Sequence, residues 1–180
     1  MLDVTYFAMK AQPQPQDAQS EPPAQAGAPP VTFRGVVYPW HLDHMDHMNV
    51  QHYVGMFDQA SWILLAWLGL DGTYFSQNRC GMAALEQSIS YKAELRAGDM
   101  FEIRSAILEI REKTMRLRHD MYKMDTDNLA ASTTILAVHL DTEARKGLPL
   151  PAAVRERARG LMQPENILQP DKTASQPVGI

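Results

Sequence analysis

The feature that most constrains the fold is an apolar stretch between residues 50 and 68 with a start signal and a stop signal. Asn49 is a favoured N-cap residue, and Gly69 suits the left-handed position that ends a helix. From Ile63 onward the other faces are apolar too, so the pattern predicts one long helix buried on all sides, with Trp62 and Trp67 in the core. The helical stripe comprises Tyr53, Val54, Phe57, Ser61, Leu64, Leu65 and Leu68.

A dense run of ionisable and polar side chains lies immediately before this helix. Its members are His41, Asp43, His44, Asp46, His47 and Asn49. The first turn of a helix carries free backbone N–H groups and the positive end of the helix dipole, which together favour developing negative charge. The juxtaposition predicts an active site at the start of the helix.

Length, composition and charge narrow the class of protein. A chain of 180 residues suits one domain with a substantial core, and a net charge of −4 argues against general nucleic-acid binding. Cys80 is the single cysteine, which excludes an intrachain disulfide and a thiolate metal cluster. The longest apolar run, residues 60–70, is too short to span a bilayer, and no secretory signal is recognisable. We expect a cytoplasmic domain without membrane or nucleic-acid partners.

The rest of the chain divides into a domain with two flanking segments. Residues 1–30 are rich in Pro, Gln and Ala and predict a flexible extension, and residues 161–180 predict a loosely ordered tail. Between them, residues 31–160 form the predicted domain. Its expected elements are a strand at 31–37, the helix, a loop over 69–81, strands at 82–95, 101–110, 114–124 and 129–140, and a short helix within 149–159.

Short links between the last four strands predict antiparallel neighbours. A single apolar helix needs a surface that wraps it, and a curved sheet supplies one. The pattern therefore predicts an α+β hot-dog fold, in which an antiparallel sheet of about five strands wraps around one long central helix. Such a sheet leaves an edge strand and a face to be covered, so we expect a homodimer or homotetramer.

The polar run and the helix after it resemble a known signature. The segment from Asp43 to Asn49, followed by Tyr53, Phe57 and Asp58, is similar to the motif of the 4-hydroxybenzoyl-CoA thioesterase-like acyl-CoA thioesterases. That motif reads roughly Asp-x-x-Gly-His-Val-Asn-x-x-x-Tyr, and the likeness extends over about residues 32–151. The resemblance implies a hot-dog enzyme that hydrolyses an acyl-CoA to the free acid and CoA, without a cofactor or metal.

The resemblance also assigns roles at the helix start. Asp43 matches the catalytic carboxylate, which acts as nucleophile or as base for water, and the backbone N–H of Val50 matches the oxyanion donor. His47 matches the motif histidine, Asn49 caps the helix, and Tyr53 lines the pocket. Elementary chemistry agrees, because thioester hydrolysis forms an oxyanion that a helix N-terminus stabilises. The rival interpretation is that Asp43 only complements the helix dipole.

Three basic residues lie at a predicted turn between two strands, and they are candidates for binding the CoA part of the substrate. By the resemblance, Arg111, Lys113 and Arg116 meet the phosphates of CoA, and ordinary solvated surface is the alternative.

This chain departs from the motif at two positions. Asp46 replaces the motif glycine, and aspartate is among the better non-glycine residues for a left-handed backbone. His41 stands where many relatives carry an acid.

The residues leave other functions open. His41, His44 and His47 with Asp43 and Asp46 are residue types that bind zinc, but successive extended or turn positions direct their side chains apart, so we expect no metal site. A hydratase or dehydratase would use the Asp43 and His47 pair on an enoyl thioester. A non-catalytic acyl-CoA-binding module is the alternative from another class. Asp46 and Glu86, on the strand expected beside the helix, remain competing carboxylates.

Overall fold

The computed structural model describes residues 29–162. Five strands and three α-helices make up most of this part of the chain, and a single 3-10 turn lies at Pro39–His41. They are β1 Val31–Val36, α1 Val50–Trp67, α2 Gly72–Asn78, β2 Cys80–Tyr91, β3 Met100–Ile110, β4 Thr114–Lys123, β5 Leu129–Asp141 and α3 Ala152–Gly160.

The five strands form one antiparallel sheet in the order β1-β3-β4-β5-β2, with α1 packed against it. The first half of α1 lies over the start of β3, where Tyr53, Met56 and Phe57 share a core cluster with Phe101 and Ile103. The second half lies over the end of β3. There the shared cluster comprises Leu64, Leu65, Leu68, Ile107, Met115, Leu117 and Leu150. This arrangement confirms the predicted hot-dog architecture.

Both ends of α1 are where the sequence predicts them. The Asn49 backbone is extended (φ −65°, ψ 143°), and its side-chain oxygen accepts a hydrogen bond from the Gln51 N–H at 3.0 Å. After the helix, Gly69 has φ +87°, a conformation that needs no Cβ. Arg157 of α3 donates to the Leu68 carbonyl at 3.1 Å, which satisfies one of the acceptors left at the helix end.

The prediction that α1 is buried on all sides is wrong. The sheet covers one side of α1, and Val54, Ile63 and Trp62 on the remaining surface stay 42%, 42% and 51% exposed. Trp62 is therefore not a core residue, although its ring packs edge-on against Phe75 with centroids 5.9 Å apart. Trp67 is partly buried against the second core cluster.

The loop predicted over residues 69–81 contains a helix that the sequence pattern did not reveal. Asp71 caps α2 by accepting the Tyr74 N–H at 2.8 Å, and the helix ends at Arg79 with φ +48°. A helix of seven residues has no room for a clear apolar period, and Gly72 is a poor helix former, so the local signal is weak. β2 also begins and ends earlier than predicted, at Cys80 and Tyr91.

The flanking segments, residues 1–30 and 161–180, fall almost wholly outside the described residues, and their predicted boundaries stay predictions. Pro30 already belongs to the domain, because its carbonyl accepts the Ser105 N–H at 2.9 Å. At the other end, Met162 forms a bridge to Ile107 of β3. In the part of the chain that the structure describes, no helix has the length and apolar character needed to cross a membrane.

The exposed apolar surface generates a prediction about assembly. β2 is the last strand in the sheet order, and its Leu85 is 61% exposed. Edge strands and apolar patches of this kind are normally covered by a partner. Light scattering at micromolar concentration should therefore report at least twice the chain mass. A monomeric mass under those conditions would contradict this expectation.

Candidate active site

The polar run before α1 forms a closed loop that is fixed by backbone hydrogen bonds. Leu42 and Met48 form an antiparallel bridge, and the Asp43 N–H donates to the His47 carbonyl at 3.1 Å. The Met48 N–H donates to the Leu95 carbonyl at 2.7 Å, which ties the loop to the segment after β2. Asp46 stands at the tip with φ +59°, the left-handed conformation expected at the motif's glycine position.

The loop holds the Asp43 carboxylate in a defined position. Its Oδ1 atom accepts the Met45 N–H at 2.8 Å, and its Oδ2 atom lies 3.5 Å from Nδ2, the side-chain amide nitrogen of Asn49. The Nδ1 atom of His47 is 3.8 Å from Oδ1, which is ion-pair distance but too long for a hydrogen bond. The Asp43 side chain is 19% exposed, so the carboxylate is restrained and still accessible.

Val50 begins α1, and its N–H has no acceptor within residues 29–162. The Asn49 side chain caps the next N–H, that of Gln51, and so leaves the Val50 donor unoccupied. Val50 is 57% exposed, so this donor lies at the surface and at the positive end of the helix dipole. The side chain of Asn49 contacts the Asp43 carboxylate, and the next residue in the chain carries the free N–H of Val50. Asn49 therefore connects the carboxylate to the free donor.

The remaining histidines of the run do not converge. His41 accepts the Tyr38 N–H through Nδ1 at 3.1 Å, and its ring lies 4.7 Å from that of His52. Burial, and then the neighbouring His52, lower the pKa of His41, which favours the neutral imidazole. His44 is exposed. Within residues 29–162 we find no group of three or more His, Cys, Asp or Glu side chains arranged to hold a metal ion.

Tyr53 is buried below the loop. It belongs to the first core cluster, and its ring meets Tyr91 edge-on at 5.1 Å. Burial raises the pKa of Tyr53 to about 12, against a smaller opposing effect of a backbone hydrogen bond from Leu95. Tyr53 is not among the residues that line the cavity along α1, and its predicted role in the substrate pocket stays a prediction.

A cavity of about 390 Å³ opens along the exposed side of α1. Val54, Asp58 and Trp62 follow one another at four-residue spacing along α1, and the first of them, Val54, lies one turn beyond Val50. The lining residues from α1 are Val54, Gly55, Asp58, Ser61, Trp62 and Leu65, and those from the sheet are Met82, Ala83, Ala84, Gln87, Leu117, Ile135 and Ala137. Sequence reasoning missed this wall, because the spacing of residues along a helix does not show which of its faces the sheet leaves uncovered.

Ser61, in the cavity wall, is the end of a buried polar chain that sequence reasoning also missed. Its Oγ lies 2.9 Å from Nε2 of His119, and Nδ1 of His119 lies 2.6 Å from Ser105 Oγ. Ser105 in turn contacts Thr32 Oγ1 at 2.5 Å. Complete burial lowers the pKa of His119 to about 3, so the imidazole is neutral near pH 7. The members come from α1 and three strands, and no local pattern brings them together.

The basic residues predicted to meet CoA lie at the other end of the sheet from Asp43. The turn after β3 carries Arg111 and Lys113, and Arg116 follows in β4. β3 starts beside the loop before α1 and runs away from it for ten residue steps, or roughly 33 Å. Arg111 and Arg116 both face Glu109, at 2.7 and 3.9 Å. In one chain, therefore, the structure does not bring this basic corner to Asp43.

Glu86, one of the two competing carboxylates that the sequence leaves open, is exposed on β2 next to a register shift at residues 84–86. Its neighbour Gln87 lines the cavity, and Glu86 does not. Asp46, the other competitor, is exposed at the loop tip.

The buried imidazole generates a prediction about stability and pH. The pKa of His119 is about 3 in the folded chain and near 6.5 when unfolded. Between these values the unfolded chain binds one more proton, so the free energy of unfolding falls as the pH falls from 6.5 toward 3. The slope from this residue is about 1.4 kcal/mol per pH unit. Urea unfolding between pH 6.5 and 4.5 measures the slope of the parent protein, which contains this contribution together with those of the other ionisable groups.

His119→Gln removes the titrating group, so the variant should lose this part of the slope even if it is less stable at every pH. Other ionisable groups titrate in both proteins, and the difference between the two slopes isolates His119. Identical slopes would contradict a neutral, buried imidazole.

Comparison with known proteins finds relatives that are named as thioesterases. The Pseudomonas aeruginosa protein named betainyl-CoA thioesterase is 21% identical over 149 residues, which are 83% of this chain and 94% of that protein. An Agrobacterium fabrum protein, L-carnitine dehydrogenase/betainyl-CoA thioesterase, is 27% identical over 134 residues. That alignment covers 74% of this chain but only 27% of the Agrobacterium protein.

Solved structures show the same fold. A hypothetical Staphylococcus aureus protein in complex with CoA superposes with a TM-score of 0.71 at 17% identity, covering 87% of this chain and 99% of that one. The family model described as the thioesterase-like superfamily matches residues 37–158, which contain the loop before α1, α1 itself and all the strands but β1. The chain belongs to the thioesterase-like superfamily.

Proposed function

We propose that this chain hydrolyses an acyl-CoA thioester to the free acid and CoA. The observation that carries the proposal is the pairing of a free Val50 N–H with the restrained Asp43 carboxylate at the start of α1. Addition to a thioester carbonyl needs a base or nucleophile on one side and a donor for the developing oxyanion on the other. The thioesterase names of the relatives support the same reaction.

Two routes use these groups. In the first, Asp43 takes a proton from water as the water oxygen attacks the carbonyl carbon, and the Val50 N–H binds the oxyanion. Collapse of this intermediate breaks the C–S bond, and the departing thiolate receives the proton from Asp43. In the second, an Asp43 oxygen attacks, CoA leaves as the thiolate, and water then cleaves the acyl–aspartyl anhydride. Both consume one water and release the acid and CoA.

Asn49 and His47 support Asp43 in this proposal. Asn49 contacts Oδ2 of Asp43 and caps the Gln51 N–H, so one side chain positions the carboxylate and leaves the Val50 donor free. His47 closes the loop through its carbonyl and places its ring 3.8 Å from Oδ1. Tyr53 supports the loop from the core.

The CoA end of the substrate needs a neighbouring chain if the basic corner binds it. Within one chain the basic corner of Arg111, Lys113 and Arg116 lies too far from Asp43 for one CoA molecule to reach both. We propose that they contact CoA phosphates across subunits of the expected oligomer. A dimer or tetramer is therefore part of the proposed function.

The acyl group is a separate part of the proposal. The two relatives described above are named as betainyl-CoA thioesterases, and a betainyl group carries a quaternary ammonium. Betainyl-CoA is consequently the first acyl-CoA to test.

A panel of acyl-CoAs with a free-thiol reagent tests the reaction. Release of CoA is expected from the parent protein. Loss of enoyl absorbance without thiol release would indicate the hydratase instead, and binding without turnover would indicate an acyl-CoA-binding module.

Asp43→Asn should abolish most of kcat while the acyl-CoA still binds. The change is nearly isosteric and removes the basic, nucleophilic oxygen. Asp46→Asn, at the exposed loop tip, is the matched control and should retain turnover. If Asp43→Asn keeps near-parental kcat, the catalytic carboxylate lies elsewhere.

Val50→Pro tests the oxyanion donor. Proline is tolerated at the first helical position, and Asn49 before it is already extended, so the variant should fold. It lacks only the backbone N–H and a half-exposed side chain. Loss of one oxyanion donor costs on the order of 10²–10³ in kcat.

Val50→Ala is the control, since it shortens the side chain and keeps the N–H; its kcat should stay near the parental value. A folded Val50→Pro protein with parental kcat would rule out the Val50 donor.

A further inference from the structure

The cavity along α1 combines a carboxylate with an indole and contains no basic side chain among its lining residues. We propose that Asp58 and Trp62 form a subsite that selects acyl groups ending in a quaternary ammonium. This inference rests on the proposed thioesterase function, and it assigns the residues that distinguish a cationic acyl group from a neutral one.

Asp58 gives the cavity its charge. Within residues 29–162 it makes no ion pair and no side-chain hydrogen bond. The positions one turn away on α1 are Val54, Gly55, Ser61 and Trp62, all of them uncharged, and the sheet contributes only apolar residues and Gln87. No cation of the described wall therefore neutralises Asp58, and a cationic ligand gains an attraction that an anionic ligand would lose.

Trp62 supplies a second attraction for the same charge. It lies one helical turn beyond Asp58 on the same face of α1, and about half of its surface is open. The edge-on contact with Phe75, at an interplanar angle of 84°, holds the ring in place. An indole ring attracts a methylated ammonium through its π-electrons.

The other walls suit the methyl groups of such a cation. Val54, Leu65, Leu117 and Ile135 provide apolar surface. A quaternary ammonium has no N–H, so it leaves no unsatisfied donor when it contacts such surface. The polar wall residue Ser61 adds no positive charge, because burial keeps its partner His119 neutral by lowering its pKa to about 3.

The position of Asp58 places the charge away from the thioester. Eight residues separate it from Val50, or about 12 Å along the helix at 1.5 Å per residue. Its side chain tilts back toward the helix start, which shortens that separation. A spacer between the carbonyl and the ammonium should therefore strengthen the interaction.

The experiment compares cationic acyl-CoAs with neutral isosteres in which carbon replaces the ammonium nitrogen. The cationic substrates are betainyl-CoA and trimethylammoniobutyryl-CoA, which has a longer spacer. The measured quantity is the ratio of kcat/KM for each cationic substrate to that of its isostere, using the full chain. The parent ratio should exceed one for at least one pair.

Asp58→Asn should lower that ratio about twofold to fivefold, the upper part of the range for an exposed charge contact, while kcat/KM for the isostere stays within about twofold. Trp62→Leu should lower it about threefold. Asp125→Asn makes the same chemical change at an exposed site in the β4–β5 turn and should leave the ratio unchanged.

The outcomes separate this inference from the reaction itself. If the parent protein hydrolyses the isosteres as well as the cationic substrates, or if Asp58→Asn leaves the ratio unchanged, the proposed subsite is wrong. Neither result would contradict the proposed thioesterase activity. Absence of CoA release from all four substrates, and from the acyl-CoA panel, would contradict the proposed function and the subsite with it.

Discussion

The burial of one side of α1 against the sheet is the interaction on which the rest of the structure depends. Phe57, Ala60 and Leu64 are completely buried there. Burial of one large apolar side chain contributes roughly 1.5–3 kcal/mol, so the helix cannot rotate without a large loss. Because a helix is rigid, fixing this side also fixes the opposite one. The free N–H at its start and the wall of the cavity are consequences of the same packing.

The loop before α1 depends on that helix for its position and on Asp46 for its shape. A left-handed backbone at a residue with a Cβ costs roughly 1–2 kcal/mol, though less for aspartate, whose side chain can bond locally. The hydrogen bonds from Asp43 to His47 and from Met48 to Leu95 offset this cost. The chain thus retains the motif's loop geometry without the motif's glycine.

Sequence reasoning predicted those features that are set by local physics. The caps at Asn49 and Gly69, the helix between them and the strand order along the chain each leave a signal within a few residues. It failed where tertiary contacts decide. Trp62 looks like a core residue by composition, yet whether a helix face is covered depends on how far the sheet extends. The partners of His119 come from distant parts of the chain, so their spacing carries no signal.

The buried row of polar side chains from Ser61 to Thr32 has fewer hydrogens than contacts, and this matters to the cavity. Five hydrogen-bond contacts run from the Phe57 carbonyl through Ser61, His119, Ser105 and Thr32 to the Ile103 carbonyl. When His119 is neutral, each of these four side chains supplies one hydrogen, so four hydrogens serve five contacts. One contact must lack a hydrogen. A proton on His119 would fill all five contacts, but it would put a charge in a fully buried site, and desolvation prevents this near pH 7. Ser61 is the one member of this row of side chains that lies in the cavity wall. A ligand there therefore meets a hydroxyl whose hydrogen direction depends on the buried side chains behind it.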